Sequence, residues 1–101
     1  MKPKTEGRII QIIKLKTSLT EEEALKIAEE RAPQFKAIPG LIQKYYVRAS
    51  PPHHFAGIYI WDSMESLQSF RTSDLALSIP EAYKLTEAPE IEVLDFLFEL
   101  R

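Results

Sequence analysis

The chain has 101 residues, 45% of them hydrophobic and 28% charged, which fits one globular domain and excludes an extensively disordered protein. Its formal net charge of −2 gives no reason to expect nucleic acid or a membrane as a partner. Cysteine is absent, which excludes disulfides, thiolate nucleophiles and cysteine-based metal sites. The apolar runs are too short to cross a bilayer and no signal-type segment follows the basic start, so we expect a cytoplasmic protein.

The amino-terminal part of the chain predicts a polar tail followed by a strand. Residues 1–7 are polar and contain a proline and a glycine, so we expect a loose tail and then a single domain at 8–101. Isoleucines of both parities occupy 8–16, which predicts a central strand that is apolar on both faces.

A helix is expected next. Thr20 and Glu23 have the spacing of a capping box, and an apolar stripe at helical spacing runs from Ala24 to Phe35. Pro33 lacks the amide hydrogen that a helix interior needs, so we expect the helix to kink or restart there.

The segment PGLIQKYY predicts a turn at Pro39-Gly40 and a strand over 41–49. This strand is expected to have two apolar faces, with Leu41, Tyr45 and Val47 on one and Ile42 and Tyr46 on the other. Two such faces, together with a lysine and two phenols, suggest a strand at the wall of a pocket or in a subunit contact. An ordinary core strand whose tyrosine hydroxyls reach water is the alternative.

A third strand is predicted shortly afterwards. The prolines at 51–52 predict a turn, because two successive prolines cannot contribute to a strand ladder. Residues 55–61 then have apolar side chains of both parities, and Gly57 in their middle suggests the close approach of a backbone or a ligand, or a bulge.

The remainder of the chain predicts a helical region and a last strand. Helical spacing over 63–71 predicts a second helix, followed by a short helical piece at 74–78 that Pro80 ends. A loop is expected over 81–89. Alternating apolar residues over 91–100 predict the last strand.

The predicted order β-α-β-β-α-β is that of the ferredoxin-like α+β fold, in which four antiparallel strands carry two helices on one face. Two helices cover only one face of such a sheet, yet at least three of the strands are apolar on both. A bare apolar sheet face is a strong association surface. We therefore expect a homodimer in which two sheets pack face to face.

Three segments carry a resemblance to a known family: PGLIQKYY at 39–46, GIYIWDSMESLQSF at 57–70 and SDLALSIPEAY at 73–83. Through them the chain resembles the dimeric α/β-barrel superfamily, and it is similar to the YdhR-like proposed mono-oxygenases, relatives of the antibiotic-biosynthesis monooxygenases. The resemblance implies a dimeric α/β barrel and a cofactor-independent mono-oxygenase that acts on a small phenol or quinol. Because the superfamily also includes haem-binding, stress-response and effector-sensing members, a non-catalytic ligand-binding or stress-response barrel is the alternative, and it stays open whether the protein is an enzyme.

The oxygenase chemistry that the resemblance implies needs an apolar cavity with aromatic walls and a few groups that stabilise an anion. We therefore expect Tyr46, Tyr59 and Lys44 to be catalytic. The residues expected to bind the substrate are Tyr45, Trp61, Arg48, Phe35, Phe70 and Arg71. Asparagine, which the best-studied oxygenases of the superfamily contain, is absent. No cofactor is expected, since the three glycines form no phosphate-binding loop for a flavin or nicotinamide.

The pair His53-His54 is the sequence feature that most suggests a metal or haem site. Adjacent strand residues point to opposite faces, and the preceding prolines place the pair in a loop. No third ligand follows at a recognisable spacing, so we expect two solvent-facing histidines and no metal site.

Overall fold

The computed structural model describes residues 7–50 and 53–101, so most of the expected tail and the proline turn at 51–52 lie outside the described residues. The elements are β1 (Ile9–Lys16), α1 (Glu21–Lys36), β2 (Leu41–Arg48), β3 (His54–Trp61), α2 (Met64–Arg71), α3 (Asp74–Leu77), α4 (Ile79–Ala82) and β4 (Glu90–Asp95). The strands form one antiparallel sheet in the order β2-β3-β1-β4, with the helices on one face. The predicted ferredoxin-like α+β fold is confirmed. No helix in this part of the chain is long and apolar enough to cross a membrane.

Helix α1 begins with the predicted capping box. The Glu23 N–H donates to the Thr20 hydroxyl at 3.2 Å, and the Thr20 N–H donates to the Glu23 carboxylate at 2.9 Å. Pro33 lies inside the helix, which continues to Lys36, so the helix does not restart there and the kink stays a prediction. A proline this close to the end of a helix removes one hydrogen bond, and the burial of Phe35, only 3% exposed, holds the last turn in the core.

Strand β2 carries an irregularity that decides which side chains face the helices. Its first pairs with β3 are Leu41 with Trp61, Gln43 with Ile60 and Lys44 with Tyr59. Ile42 is therefore an extra residue, as in a β-bulge. The bulge puts Leu41 on the same face as Lys44. The expectation that Leu41 shares a face with Tyr45 and Val47 is wrong, because it assumed an uninterrupted strand.

A further helical turn, α4, occupies part of the segment where a loop was expected. The short helix α3 lies where it was predicted, but Pro80 belongs to the first turn of α4 instead of ending the helical structure. The first turn of a helix tolerates proline, because its amide groups have no partner within the helix. The turn brings Tyr83 into the core, where it is 8% exposed.

Strand β4 is shorter than the predicted strand at 91–100. It ends at Asp95, which lies opposite Ile9, the first residue of β1. The Phe96 N–H still donates to the Arg8 carbonyl at 3.2 Å, but the described chain offers no further strand to pair with. The large apolar residues beyond this point are therefore exposed, namely Leu97 at 81%, Phe98 at 69% and Leu100 at 84%.

The two faces of the sheet differ in how they are covered. The helix face carries the core, which contains Ile9, Ile13, Ala24, Ala28, Phe35, Tyr59, Trp61, Leu67, Phe70, Ile79 and Tyr83. The other face, here the open face, presents half-buried or exposed side chains from all four strands: Ile10, Ile12, Tyr45, Val47, Ile58, Ile60 and Leu94. This is the apolar surface that the sequence led us to expect, and the homodimer that would cover it stays a prediction.

Candidate functional site

A cavity of about 330 Å³ lies on the helix face, bounded by the sheet, α1 and the segment 79–83. Its walls are mainly apolar, and the lining residues with polar side chains are Thr17, Glu21, Lys44, Tyr46, Arg48, Tyr59 and Tyr83. An apolar cavity with a few polar groups is the usual form of a small-molecule site.

Lys44 is the most unusual residue of the cavity. The register of β2 and β3 places it beside Tyr59, and its side chain extends beneath α1. The Lys44 Nζ lies 3.5 Å from the ring centroid of Phe35, 4.4 Å from that of Tyr46 and 4.6 Å from that of Tyr59. A lysine amine therefore ends against three aromatic rings.

Gly57 provides the space that this arrangement needs. A Cβ atom at residue 57 would lie 2.9 Å from the Tyr59 Cε1 and 3.3 Å from the Lys44 Cε. The groups that approach this glycine are two side chains of the site, whereas the sequence suggested a backbone, a ligand or a bulge. No other residue type fits without moving the Tyr59 ring.

We expect Gly57→Ala to destabilise the protein by about 1–3 kcal/mol and Gly57→Val to destabilise it more, because each added atom crowds Lys44 and Tyr59. Urea unfolding measures the effect. Strand propensity alone predicts the opposite order, since valine is favoured over glycine in strands. A valine variant as stable as the wild type would therefore contradict the crowding of this site.

Arg31 is a second cation close to the cavity, although it does not line it. Its guanidinium carbon lies 5.8 Å from the ring centroid of Phe35 and 6.0 Å from that of Tyr83. One of its terminal nitrogens donates to the Ser78 hydroxyl at 3.0 Å and to the Leu75 carbonyl at 3.3 Å. Its Nε is buried and has no hydrogen-bond partner among the described residues.

The surroundings of Lys44 favour its neutral form. Burial, and to a smaller degree the charge of Arg31, lowers the pKa of Lys44 from an ordinary 10.5 to about 7. The ring faces attract the ammonium and oppose this change. Cation–π contacts contribute about 1–2 kcal/mol, however, which is less than the burial of an unpaired lysine can cost. The amine is therefore available as a base or a nucleophile near neutral pH.

The tyrosines of the cavity stay protonated near neutral pH. Burial raises the pKa of Tyr46, raises that of Tyr59 far above its ordinary value, and raises that of Tyr83 to about 12. Their hydroxyl groups are therefore hydrogen-bond donors to a ligand, and an anionic ligand gains most from them.

An ion pair lies at the exposed side of the cavity. A terminal guanidinium nitrogen of Arg48 donates to the Glu21 carboxylate at 2.8 Å, and the Arg48 Nε donates to the same carboxylate. The hydrogen bond from Arg48 lowers the pKa of Glu21 and raises that of Arg48. Glu21 is the one carboxylate that lines the cavity within the described chain, and it is paired. The inner end beside Lys44 is thus left electropositive.

The structure brings together five of the residues predicted for the site. Lys44, Tyr46, Tyr59 and Arg48 line the cavity, and Phe35 contacts the Lys44 amine. All three residues predicted to be catalytic belong to this group. Their catalytic role stays a prediction.

The other predicted binding residues lie outside the cavity. Trp61 is fully buried, and its indole N–H donates to the buried Gln11 at 3.0 Å. Phe70 packs against Trp61 in the same core, with ring centroids 5.3 Å apart. Tyr45 lies on the open face and is 53% exposed, and Arg71 is exposed at the end of α2. Aromatic character alone did not distinguish core from cavity, because both use large rings.

Two residues in or close to the cavity, Arg31 and Tyr83, were not predicted from the sequence. Arg31 lies between Ala28 and Phe35 at helical spacing, so its position on the apolar stripe of α1 was a signal that it faces the interior. Tyr83 was expected in a loop, because Pro80 was expected to end the preceding helical segment. Proline is also common in the first turn of a helix, and a new helix at Pro80 would have predicted that Tyr83 packs against the core.

The two histidines are placed by backbone groups. The His53 Nδ1 lies 3.1 Å from the Leu19 carbonyl, and the His54 Nδ1 lies 3.0 Å from the Ser50 carbonyl. Across residues 7–50 and 53–101, no three or more histidine, aspartate or glutamate side chains form a group that could hold a metal ion.

Comparisons with known proteins identify the fold. No protein-family model matches the chain, and no curated protein sequence matches it. SnoaB from Streptomyces nogalater, a cofactor-independent oxygenase, has a similar structure with a TM-score of 0.74 and 14% identity, over 93% of this chain and 97% of that one. A candidate antibiotic biosynthesis monooxygenase from Caulobacter crescentus has a TM-score of 0.71 and 22% identity over 92% of each chain.

Not every similar structure has a known activity. A protein of unknown function from Nitrosomonas europaea has a TM-score of 0.77 and 15% identity over 94% of each chain. At such identities the likeness shows a shared fold. The fold and the cavity together define a ferredoxin-like α+β protein with a candidate small-molecule site between the sheet and α1. The closer YdhR-like assignment stays a prediction.

Proposed function

We propose that the chain is a cofactor-independent mono-oxygenase that oxidises a small phenol or quinol in the cavity beside Lys44. The observation that carries this proposal is the Lys44 amine, which ends against three aromatic rings in a mainly apolar cavity. The likeness in fold to a cofactor-independent oxygenase supports the same class of reaction and leaves the substrate open.

In the proposed reaction, Lys44 first acts as a base. Its neutral amine takes the phenolic proton, and a base with a pKa near the working pH is effective in such a transfer. The resulting ammonium, the field of Arg31 and a hydrogen bond from Tyr46 or Tyr59 then stabilise the phenolate. The apolar walls exclude water, which strengthens these interactions.

The second step is the reaction of the phenolate with O2. The electron-rich anion transfers electrons to O2, and the substrate itself supplies all the electrons. One oxygen atom stays on the ring as a new carbonyl and the other leaves as water with two hydrogens of the substrate. A phenol and O2 thus give a quinone and water, and the balance needs no additional reductant.

The proposal is tested by O2 consumption with a dihydroxynaphthalene. We expect one O2 to disappear for each coloured hydroxynaphthoquinone formed. The rate with heat-denatured protein is subtracted, because such phenols also oxidise in air. Binding of the naphthalene with no O2 uptake above that background would contradict the oxygenase and favour the non-catalytic ligand-binding barrel.

We also propose that the protein is a homodimer in which the open faces of two sheets pack together. The open face contributes apolar side chains from all four strands, and the exposed residues Leu97, Phe98 and Leu100 extend the apolar surface beyond β4. A second copy of the same face is complementary to it in hydrophobicity, and two-fold packing covers both at once.

The dimer is tested by the mass in solution. We expect the wild type to have twice the monomer mass of 11.6 kDa in sedimentation equilibrium. Replacing both Tyr45 and Val47 with glutamate places like charges in the contact, so the doubly substituted variant is expected to be a monomer. Gln68→Glu, on the exposed surface of α2, is the matched control and should stay dimeric. A monomeric wild type would refute the proposal.

A further inference from the structure

The Lys44 amine has a second chemical property besides basicity. Among the described residues it has no salt-bridge partner and no hydrogen-bond acceptor, and its close neighbours are ring faces. The cavity in front of it is large enough for a small organic molecule. A neutral amine without a partner at the inner wall of an apolar cavity can act as a nucleophile toward a molecule bound in that cavity.

We propose that the cavity is a carbonyl-binding site in which the Lys44 amine condenses with a small aldehyde or 1,3-diketone. This inference goes beyond the proposed oxygenation, because it involves neither O2 nor electron transfer. The class of ligand follows from the site: one reactive carbonyl for the amine, and an apolar or aromatic remainder for the walls.

The condensation is balanced without any further reactant. The amine nitrogen attacks the carbonyl carbon, and a proton moves from nitrogen to oxygen to give a carbinolamine. Loss of water, whose oxygen comes from the carbonyl, leaves an imine with an aldehyde or an enaminone with a 1,3-diketone. Tyr46 is the proposed proton donor for this loss, because its ring centroid lies 4.4 Å from the amine and burial raises the pKa of its hydroxyl.

The environment also makes Lys44 more reactive toward a carbonyl compound than the exposed lysines. The charged or titratable groups around it are Arg31 on α1, Tyr46 on β2, Tyr59 on β3 and Tyr83 after α4, with the Glu21–Arg48 pair at the exposed side. None of the inner groups supplies a negative charge at neutral pH to retain the ammonium. An ordinary exposed lysine is neutral in only about one molecule in 10³ at pH 7, whereas the lowered pKa of Lys44 makes a much larger fraction of its amines neutral there.

The test uses pentane-2,4-dione under argon, so that oxygenase activity plays no part in the result. We expect one enaminone per chain, seen as a new near-ultraviolet absorbance and as a mass increase on the peptide that contains Lys44. The expected rate is about 100-fold above that of exposed lysines such as Lys26 and Lys36, allowing for the lower nucleophilicity of a less basic amine.

Two variants and the pH dependence complete the test. Lys44→Arg should abolish the absorbance, because a guanidinium is not neutral at pH 7, and the matched control Lys26→Arg on the exposed side of α1 should keep it. The labelling rate should rise as the pH increases through about 7, since the neutral amine is the nucleophile. Peptide mapping of the wild type locates the adduct even if a variant folds poorly. No adduct, or an adduct spread over several lysines, would overturn the proposal whatever the O2 assay shows.

Discussion

Replacing Lys44 with methionine is expected to lower kcat/KM for oxidation of a dihydroxynaphthalene by about 10²–10⁴-fold, the usual contribution of a positioned general base. Methionine retains an unbranched chain beneath α1 but cannot accept a proton. Steady-state O2 uptake at pH 7 measures the effect. The control variant Lys26→Met, on the exposed side of α1, should retain the wild-type rate.

Lys44→Arg separates the two roles that a lysine could have here. Arginine keeps a positive charge beside the substrate but does not lose its proton in proteins. If Lys44 is the base, the arginine variant should be about as slow as the methionine variant. Recovery of most of the activity by arginine would show that charge stabilisation, and not proton transfer, is the contribution of this residue.

The pH dependence of kcat/KM tests independently whether Lys44 is the base. The neutral amine is the active form, so kcat/KM of the wild type should fall as the pH is lowered through about 7. The Lys44→Met variant should lack that limb of the profile. A wild-type rate that stays constant between pH 5 and pH 9 would exclude Lys44 as the base.

Loss of activity in Lys44→Met should not come from unfolding. Folding lowers the Lys44 pKa to about 7, so between pH 7 and about 10 the unfolded chain binds more protons than the folded chain. The lysine therefore costs stability at neutral pH, and that cost shrinks as the pH rises toward 10. We expect urea unfolding at pH 7 to find the methionine variant at least as stable as the wild type.

Replacing Trp61 with alanine is expected to destabilise the protein by about 3–5 kcal/mol. Trp61 is fully buried, and its ring stacks on Tyr59 with centroids 6.0 Å apart and packs against Phe70 at 5.3 Å. The substitution removes the largest side chain of the core and leaves a cavity. Since domains of this size are stable by only about 5–15 kcal/mol, urea unfolding should show a large loss.

A smaller change at the same position isolates the hydrogen bond to Gln11. Trp61→Phe keeps an aromatic ring but leaves the Gln11 carbonyl buried without its donor, which should cost about 1–3 kcal/mol. Combining it with Gln11→Leu removes both polar groups and should recover part of that loss. If the double variant is no more stable than Trp61→Phe alone, the unpaired Gln11 amide is not the cause of the stability lost in Trp61→Phe.

Some features of the protein could be predicted because they depend on neighbours in the chain. The capping box needs only Thr20 and Glu23, three residues apart, and the structure contains both of its hydrogen bonds. The order of strands and helices follows from local periodicity, so the ferredoxin-like fold was predictable as well. The composition of the cavity was predictable in part, since Lys44, Tyr46 and Tyr59 were expected to act together and do line one cavity.

Other features depend on contacts between distant parts of the chain. The bulge at Ile42 sets the face of Leu41, and it exists only in the pairing with β3. Strand β4 ends at Asp95 because β1 begins at Ile9, 86 residues earlier in the chain. Helix α1 continues past Pro33 because Phe35 is held in the core.

The sequence by itself determined the four strands, the helices α1 to α3, their order and an excess of apolar surface over what two helices cover. Only the tertiary structure decided which aromatic residues form the core and which line the cavity, and it alone brought Arg31 and Tyr83 to the site. The physical reason is that periodicity divides a strand into two faces without saying which face a helix covers. A single bulge also moves the side chains on one side of it to the opposite face of the strand. Which face is buried is decided by the energy of packing the whole sheet against the helices.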